Sequence, residues 1–294
     1  MPAADDNAAK QAAPTPIWLL VNRDSGSFSE DAVERLRQTC RDGGAPIERF
    51  VDLHGDGLPD AKTLKDANIE TLAVHGGDGT VNSVIAALDG WRGAVLVLPG
   101  GTMNLLAKRL HGDVESEEIA NRYCRGAMAR QRPVSIRCDA GVAFAGLLAG
   151  PGTSWASVRE AMRRAEVSSV VEEAGEAIRR TAGDPRIRCI DPSFDPDRPY
   201  PLIEMTPGAF GIQLDGYDAE HPTDYARHGW ALLRRAFREG PHERLGLTGR
   251  VTIAGEASAP IDILLDGEAA QLPSPATFEA GPAAVDLWVS ENEG

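Results

Sequence analysis

The sequence predicts an α/β protein of two domains, a doubly wound parallel sheet followed by a β-sandwich-type unit. Two observations carry this. In the first half, the short continuous apolar runs IWLLV, TLAVHG and GAVLVLP alternate with helical patterns, which marks strands buried on both faces of a parallel sheet. After about Pro133 the texture changes: VSIRCDAG, VAFAGLLAG, GRVTIAGEA, PIDILLDGEAA and AVDLWVS follow without regular intervening helices. The boundary is therefore placed between residues 133 and 134. Residues 1–15, Ala-rich and ending in APTP, read as a tail. Residues 16–133 form the α/β domain and 134–294 the β-rich domain, with the last segment free to return to the first domain.

The elements follow in order. IWLLV is the first strand and ends in NRDSGS; Ser27 and Glu30 form a capping box for the helix SEDAVERLRQTCRDGG, which stops at a Gly pair. A second strand is expected at PIERFVDL and a polar helix over residues 60–68. ETLAVHG then leads through GGDGT into the helix VNSVIAAL, and GAVLVLP leads through a second glycine turn into the helix TMNLLAKRL. In the second half, helices are expected at SWASVREAMRRAEVSSVVEEAGEAIRRTAG and TDYARHGWALLRRAFREG, and a Pro-rich surface loop at DPSFDPDRPYP.

Composition narrows the function. The 294 residues carry 30 Lys+Arg against 44 Asp+Glu, a net charge of -14, so no basic run stands ready for the phosphates of a nucleic acid. No apolar stretch approaches the ~20 residues of a membrane span, and MPAADDNAAK lacks the pattern of a secretory signal. Cys40, Cys124, Cys138 and Cys189 are scattered, with no CxxC pair. That excludes the common zinc spacings, argues against a disulfide framework and makes the cytoplasm the expected compartment.

The sharpest local feature is His75-Gly76-Gly77-Asp78-Gly79-Thr80-Val81-Asn82, joining a buried strand to a helix. Glycines there admit close approach of a ligand, and the helix start offers unpaired N–H groups; together they suit a phosphate. The competing reading is a turn whose glycines serve only the fold, with Asp78 as a helix cap. Leu98-Pro99-Gly100-Gly101-Thr102-Met103-Asn104 repeats the design one βα unit later, and residues 22–27, Asn-Arg-Asp-Ser-Gly-Ser, close the first unit. Ligands of open parallel sheets bind outside the carboxyl ends of the strands, where these loops can converge. Neither a GxxxxGK[ST] nor a GxGxxG pattern is present.

GGDGTVN, preceded by NRDSG and followed by PGGTMNLLAKRL, resembles the diacylglycerol kinase and sphingosine kinase superfamily, in particular its bacterial lipid kinase-like members. Leu265-Asp266-Gly267-Glu268 before the closing strand extends the resemblance across nearly the whole chain, while residues 143–208 match only in texture. The resemblance implies an NAD kinase-like nucleotide-binding domain, a β-sandwich, and a cleft where ATP with Mg²⁺ phosphorylates a lipid hydroxyl. By motif, Asn22, Ser25 and Gly26 would line the nucleotide. Gly76, Gly77, Asp78, Gly79 and Thr80 would hold phosphates, with Asp78 near the metal. Gly101, Thr102 and Asn104 would complete the site, and Asp266 and Glu268 would sit at the reacting hydroxyl. Phosphoryl transfer needs positioning, charge compensation and a carboxylate to accept the hydroxyl proton; Asp78, Asp266 and Glu268 are all candidates. By sequence alone, Asp266-Gly267 also reads as a hairpin turn with exposed acids.

The chain departs from that pattern in places. Arg23 stands where the family has proline, Leu105-Leu106 follow Asn104, and the nearest match to a structural Mg²⁺ loop is Asp215-Gly216-Tyr217-Asp218. His75, His111 and His221 lack partners at ligand spacing and read as core or solvated residues; Trp91, Trp155, Trp230 and Trp288 read as packing. The run Arg234-Arg235…Arg238, on a helix with Trp230, Leu232, Leu233 and Phe237, is either a solvated face over a core stripe or a surface for transient membrane contact. Two alternatives stand beside the lipid kinase: an NAD kinase-like small-molecule kinase and a catalytically silent nucleotide- or lipid-binding module.

Overall fold

The computed structural model describes residues 16–25, 28–150, 185–194, 198–217 and 243–291. The expected tail, Gly26, Ser27, the two helices expected in the second half and the residues placed on them (Trp155, His221, Trp230, Leu232, Leu233, Arg234, Arg235, Phe237 and Arg238) lie outside the described residues.

The first half alternates strand and helix. Its strands are β1 (Ile17–Val21), β2 (Ile47–Asp52), β3 (Thr71–Gly76), β4 (Ala94–Pro99) and β5 (Met128–Gln131); its helices are α1 (Glu30–Asp42), α2 (Ala61–Asp66), α3 (Asp78–Ala87), α4 (Leu105–His111) and α5 (Ser116–Cys124). The first four strands are mutually parallel. Every residue of β1 and β3 is buried, because helices cover both faces. Trp18, Leu20, Leu72, Val74, Val95 and Val97 pack with Leu64, Val81, Ile85 and Leu106 of α2, α3 and α4. The alternate residues Ile17, Leu19, Ala73, Leu96 and Leu98 pack with Val33 and Leu36 of α1 and Ile119 and Tyr123 of α5. This is the expected doubly wound arrangement.

Two local boundaries differ from the sequence reading. The side chain capping α1 belongs to Ser29, whose Oγ accepts the Ala32 N–H at 3.4 Å, so the helix starts two residues later than a Ser27–Glu30 box requires. The helix predicted from Thr102 begins at Leu105, because Asn104 adopts a left-handed conformation (φ 51°, ψ 44°) that no α-helix continues through.

The second half is antiparallel. It contains β6 (Val134–Cys138), β7 (Gly141–Ala143), β8 (Leu147–Gly150), β9 (Ile187–Asp191), β10 (Leu202–Gly208), β11 (Gly211–Tyr217), β12 (Glu243–Thr248), β13 (Arg250–Gly255), β14 (Ile261–Leu265), β15 (Glu268–Leu272) and β16 (Ala276–Pro282). They form sheets of order β12-β11-β10-β8-β14-β15 and β7-β6-β16-β13-β9. Ile203, Met205 and Ile263 of one sheet share a core with Ile136, Val251 and Phe278 of the other, which makes a β-sandwich. Asp215, Gly216 and Tyr217 lie within β11, and Asp215 accepts from Gln213 Nε2 at 2.6 Å beside Arg244; these residues are a strand rather than a metal loop.

The last strand, β17 (Asp286–Ser290), leaves the sandwich. It pairs parallel with β4 and antiparallel with β5, giving the first sheet the order β2-β1-β3-β4-β17-β5. Trp288 Nε1 and Tyr123 Oη both donate to Thr71 Oγ1, at 3.1 and 3.0 Å, so the returning strand is anchored by a buried polar knot as well as by its ladder.

Candidate active site

Strand order reverses between β1 and β3, since β1 has β2 on one side and β3 on the other. Such a switch point opens a crevice beyond the strand ends. The loop after β1 and the turn after β3 meet there: Asn22 Nδ2 donates to Thr80 Oγ1 at 3.4 Å, while Asn22 Oδ1 accepts the Asp24 N–H at 3.2 Å. Ser25 is held within the loop, its N–H on the Asn22 carbonyl and its own carbonyl accepting from Phe28.

The turn after β4 lies directly against the turn after β3. The Gly100 N–H donates to the Gly76 carbonyl at 3.1 Å. A Cβ on Gly100 would fall 2.7 Å from Gly76 N, and one on Gly101 would fall 2.5 Å from Gly77 Cα. These glycines are demanded by the contact of two backbones. Asn104 then locks the second turn, its Oδ1 accepting the Gly101 N–H at 2.7 Å and its Nδ2 donating to the Gly101 carbonyl at 2.8 Å. Thr102 is exposed at the tip. Gly79 is different: it sits in the first turn of α3, exposed, with no atom within 4 Å of an added Cβ. The N-cap of α3, Gly77, supplies no side-chain hydrogen bond, which leaves the N–H groups at the start of this helix without a cap from that residue.

Asp78 caps a helix, but not its own. Its Oδ2 accepts the Leu105 N–H at 3.1 Å and its Oδ1 the Leu106 N–H at 3.0 Å, which satisfies the start of α4 where Asn104 offers no cap. Burial pushes the Asp78 carboxyl up from 3.8 to about 6; the two N–H bonds oppose this and the neighbouring Asp266 adds to it. With the folded value raised, the fold favours the protonated form. The stability this group contributes is complete below its ordinary value and is lost as pH rises through about 6. The melting temperature of the wild type relative to Asp78→Asn should therefore decline across that interval, as thermal denaturation in a pH series would record. A difference that stays flat from acid to neutral pH would contradict a titrating Asp78.

Asp266 comes to this place from the other end of the chain. Asp266 and Gly267 (φ 46° and 91°) form the two-residue turn between β14 and β15, a turn that requires left-handed backbone at both positions. The Asp266 side chain is buried, contrary to an exposed hairpin acid. Its Oδ2 accepts from Phe144 N at 2.6 Å and from Asn82 Nδ2 at 3.3 Å, and its Oδ1 from Ala145 N and Gly146 N at 2.8 and 2.9 Å. Burial raises its pKa while those hydrogen bonds pull it down. The N–H donors exist because VAFAGLLAG, read as a single strand, breaks into β7 and β8 at residues 144–146. Gly267 also abuts the second glycine turn, since a Cβ there would lie 2.6 Å from Met103 Cε. Glu268 is exposed at the start of β15.

Residues 16–136 match the family described as the diacylglycerol kinase catalytic domain. That segment carries a diacylglycerol kinase-like catalytic domain. Its fold is also that of two crystal structures from Bacillus anthracis str. Sterne, the first of a diacylglycerol kinase. One is 14% identical with a TM-score of 0.61 over 95% of this chain and 97% of the other. The second is 15% identical with a TM-score of 0.64 over 98% of each. No curated protein matches the sequence. Among the described residues no helix is long and apolar enough to cross a membrane.

Within the matched segment, Asn82 is a site residue that its motif position alone does not mark. It reaches from α3 to Asp266, and its Oδ1 is buried with no hydrogen-bond partner. Its only sequence signal is its place at the end of GGDGTVN. A divalent cation is implied by the family. Among the described residues no three His, Cys, Asp or Glu side chains cluster to hold one. Mg²⁺, however, takes oxygen donors and is commonly held by one or two carboxylates plus substrate phosphates. The Asp78 carboxylate, which also caps α4, and the orphaned Asn82 Oδ1 fit that demand.

Proposed function

We propose that the chain is an ATP-dependent lipid kinase that transfers a γ-phosphate to the hydroxyl of a diacylglycerol or a sphingoid- or ceramide-like lipid. The observation that carries this reading is the landing of the β14–β15 hairpin on both glycine turns, through Asn82 on α3 and Met103 beside Gly101. Phosphoryl transfer needs an acceptor-activating carboxylate beside a phosphate site, and this contact joins the two. The open N–H groups of α3 and the loop after β1, tied to Thr80 through Asn22, bind and orient the nucleotide. Asp78 and Asn82 would hold a Mg²⁺ ion, which would offset phosphate charge there. Asp266 has every lone pair occupied by an N–H donor, so it holds the hairpin and Glu268 takes the proton of the lipid hydroxyl. A lipid acceptor implies transient contact with a membrane surface from a cytoplasmic protein.

One observation favours a second reading, a silent nucleotide- or lipid-binding module: both buried aspartates are engaged in capping and bracing. Incubation with γ-labelled ATP, Mg²⁺ and a panel of diacylglycerols, sphingoid bases and ceramides in mixed micelles separates the two. Label in a lipid product supports the kinase; nucleotide binding without transfer to any lipid supports the silent module.

Gly79→Ala isolates the phosphate cradle. Alanine in an exposed helical position stabilises by roughly 0.5–1 kcal/mol, and nothing obstructs the new methyl. The melting temperature should hold or rise while the calorimetric affinity for Mg-ATP falls about tenfold, the equivalent of ~1.4 kcal/mol. Unchanged affinity would remove Gly79 from the cradle.

A further inference from the structure

We propose that Cys124 is an oxidant-reactive site and Cys40 its resolving partner, the two closing a disulfide that pins α1 to α5. All described cysteines are free thiols. Cys40, in the last turn of α1, and Cys124, the last residue of α5, come from distant parts of the sequence, yet both pack into the one core cluster where these helices meet. The approach is close because the residue ending α1 is Gly43. A Cβ there would lie 2.5 Å from Cys124 Cβ and 2.6 Å from its sulfur.

The two thiols differ in access. Cys40 is 1% exposed. Cys124 is half-buried and lines a groove of about 540 Å³ between the helices, with Arg35, Asn121 and Arg125. A small oxidant therefore reaches Cys124 first. The neighbouring Cys40 and the Ala45 N–H hold the Cys124 thiol below its ordinary value, while the nearness of Cys124 and burial push Cys40 up. Burial raises Cys138 and takes Cys189 to about 12, so neither competes as a thiolate.

The oxidant is a hydroperoxide. The Cys124 thiolate attacks its terminal oxygen; an S–O bond forms, the O–O bond breaks and an alcohol or water leaves, giving a sulfenic acid at Cys124. The Cys40 sulfur then attacks the Cys124 sulfur. The S–S bond forms, the S–O bond breaks, and the Cys40 proton departs with the hydroxide as water. Two electrons have passed from the thiols to the peroxide.

The test uses the full chain, a small excess of hydrogen peroxide and tryptic mapping without reduction. Peptides 38–41 and 123–125 should appear joined and lighter by two hydrogen atoms. The melting temperature should rise by several degrees, as expected when a long loop is closed, and dithiothreitol should reverse both changes. In Cys40→Ser, dimedone should trap a sulfenic acid at Cys124; in Cys124→Ser, Cys40 should stay reduced. If either variant fails to fold, the wild-type map decides alone. Cys40 and Cys124 left reduced, or joined instead to Cys138 or Cys189, overturns the proposal.

Discussion

Asp266→Ala is expected to destabilise the protein by about 3–5 kcal/mol, the usual result of removing one partner from a buried charged network, and to abolish transfer. The change strands the N–H groups of Phe144, Ala145 and Gly146 and the amide of Asn82. Asp266→Asn should cost less but still measurably, because its NH₂ group meets N–H donors where a carboxylate oxygen accepted them. Denaturant titration checks both. An Asp266→Ala protein as stable as wild type would mean that the hairpin is not braced by this side chain.

Glu268→Gln should behave in the opposite way. Glu268 is exposed at the rim of the hairpin, so its neutralisation should shift stability by no more than about 0.5 kcal/mol. If it accepts the proton of the lipid hydroxyl, kcat should fall by roughly 10²–10⁴, with the KM for ATP unchanged. Steady-state kinetics on the labelled lipid product would record this. Full activity in Glu268→Gln would move the role of base to Asp78, whose raised pKa makes it the remaining acceptor.

The parts of the fold legible in the sequence are those written in local pattern. IWLLV, TLAVHG and AVLVLP are continuous apolar runs because both faces of the sheet are covered, and Asp266-Gly267 announces a hairpin turn by its composition. What the sequence does not carry is the identity of distant partners. The position of β17 between β4 and β5 rests on a short ladder and on Trp288 meeting Thr71, and no local pattern encodes either. Asp78 caps α4 rather than α3 because Asn104, in its left-handed conformation, leaves that helix start unsatisfied. The break at residues 144–146, inside an apolar run that reads as one strand, exists to aim three N–H groups at Asp266. Cys40 and Cys124 look unrelated until α1 and α5 pack side by side.

The central claim is that both glycine turns and the closing hairpin make a single nucleotide-dependent site. Hydrogen exchange with and without Mg-ATP tests it most directly. The account predicts slowed exchange in residues 76–80, 101–106 and 266–268 together, with no change in β9. Protection confined to one of the turns, or absent from all three segments at saturating nucleotide, would contradict it.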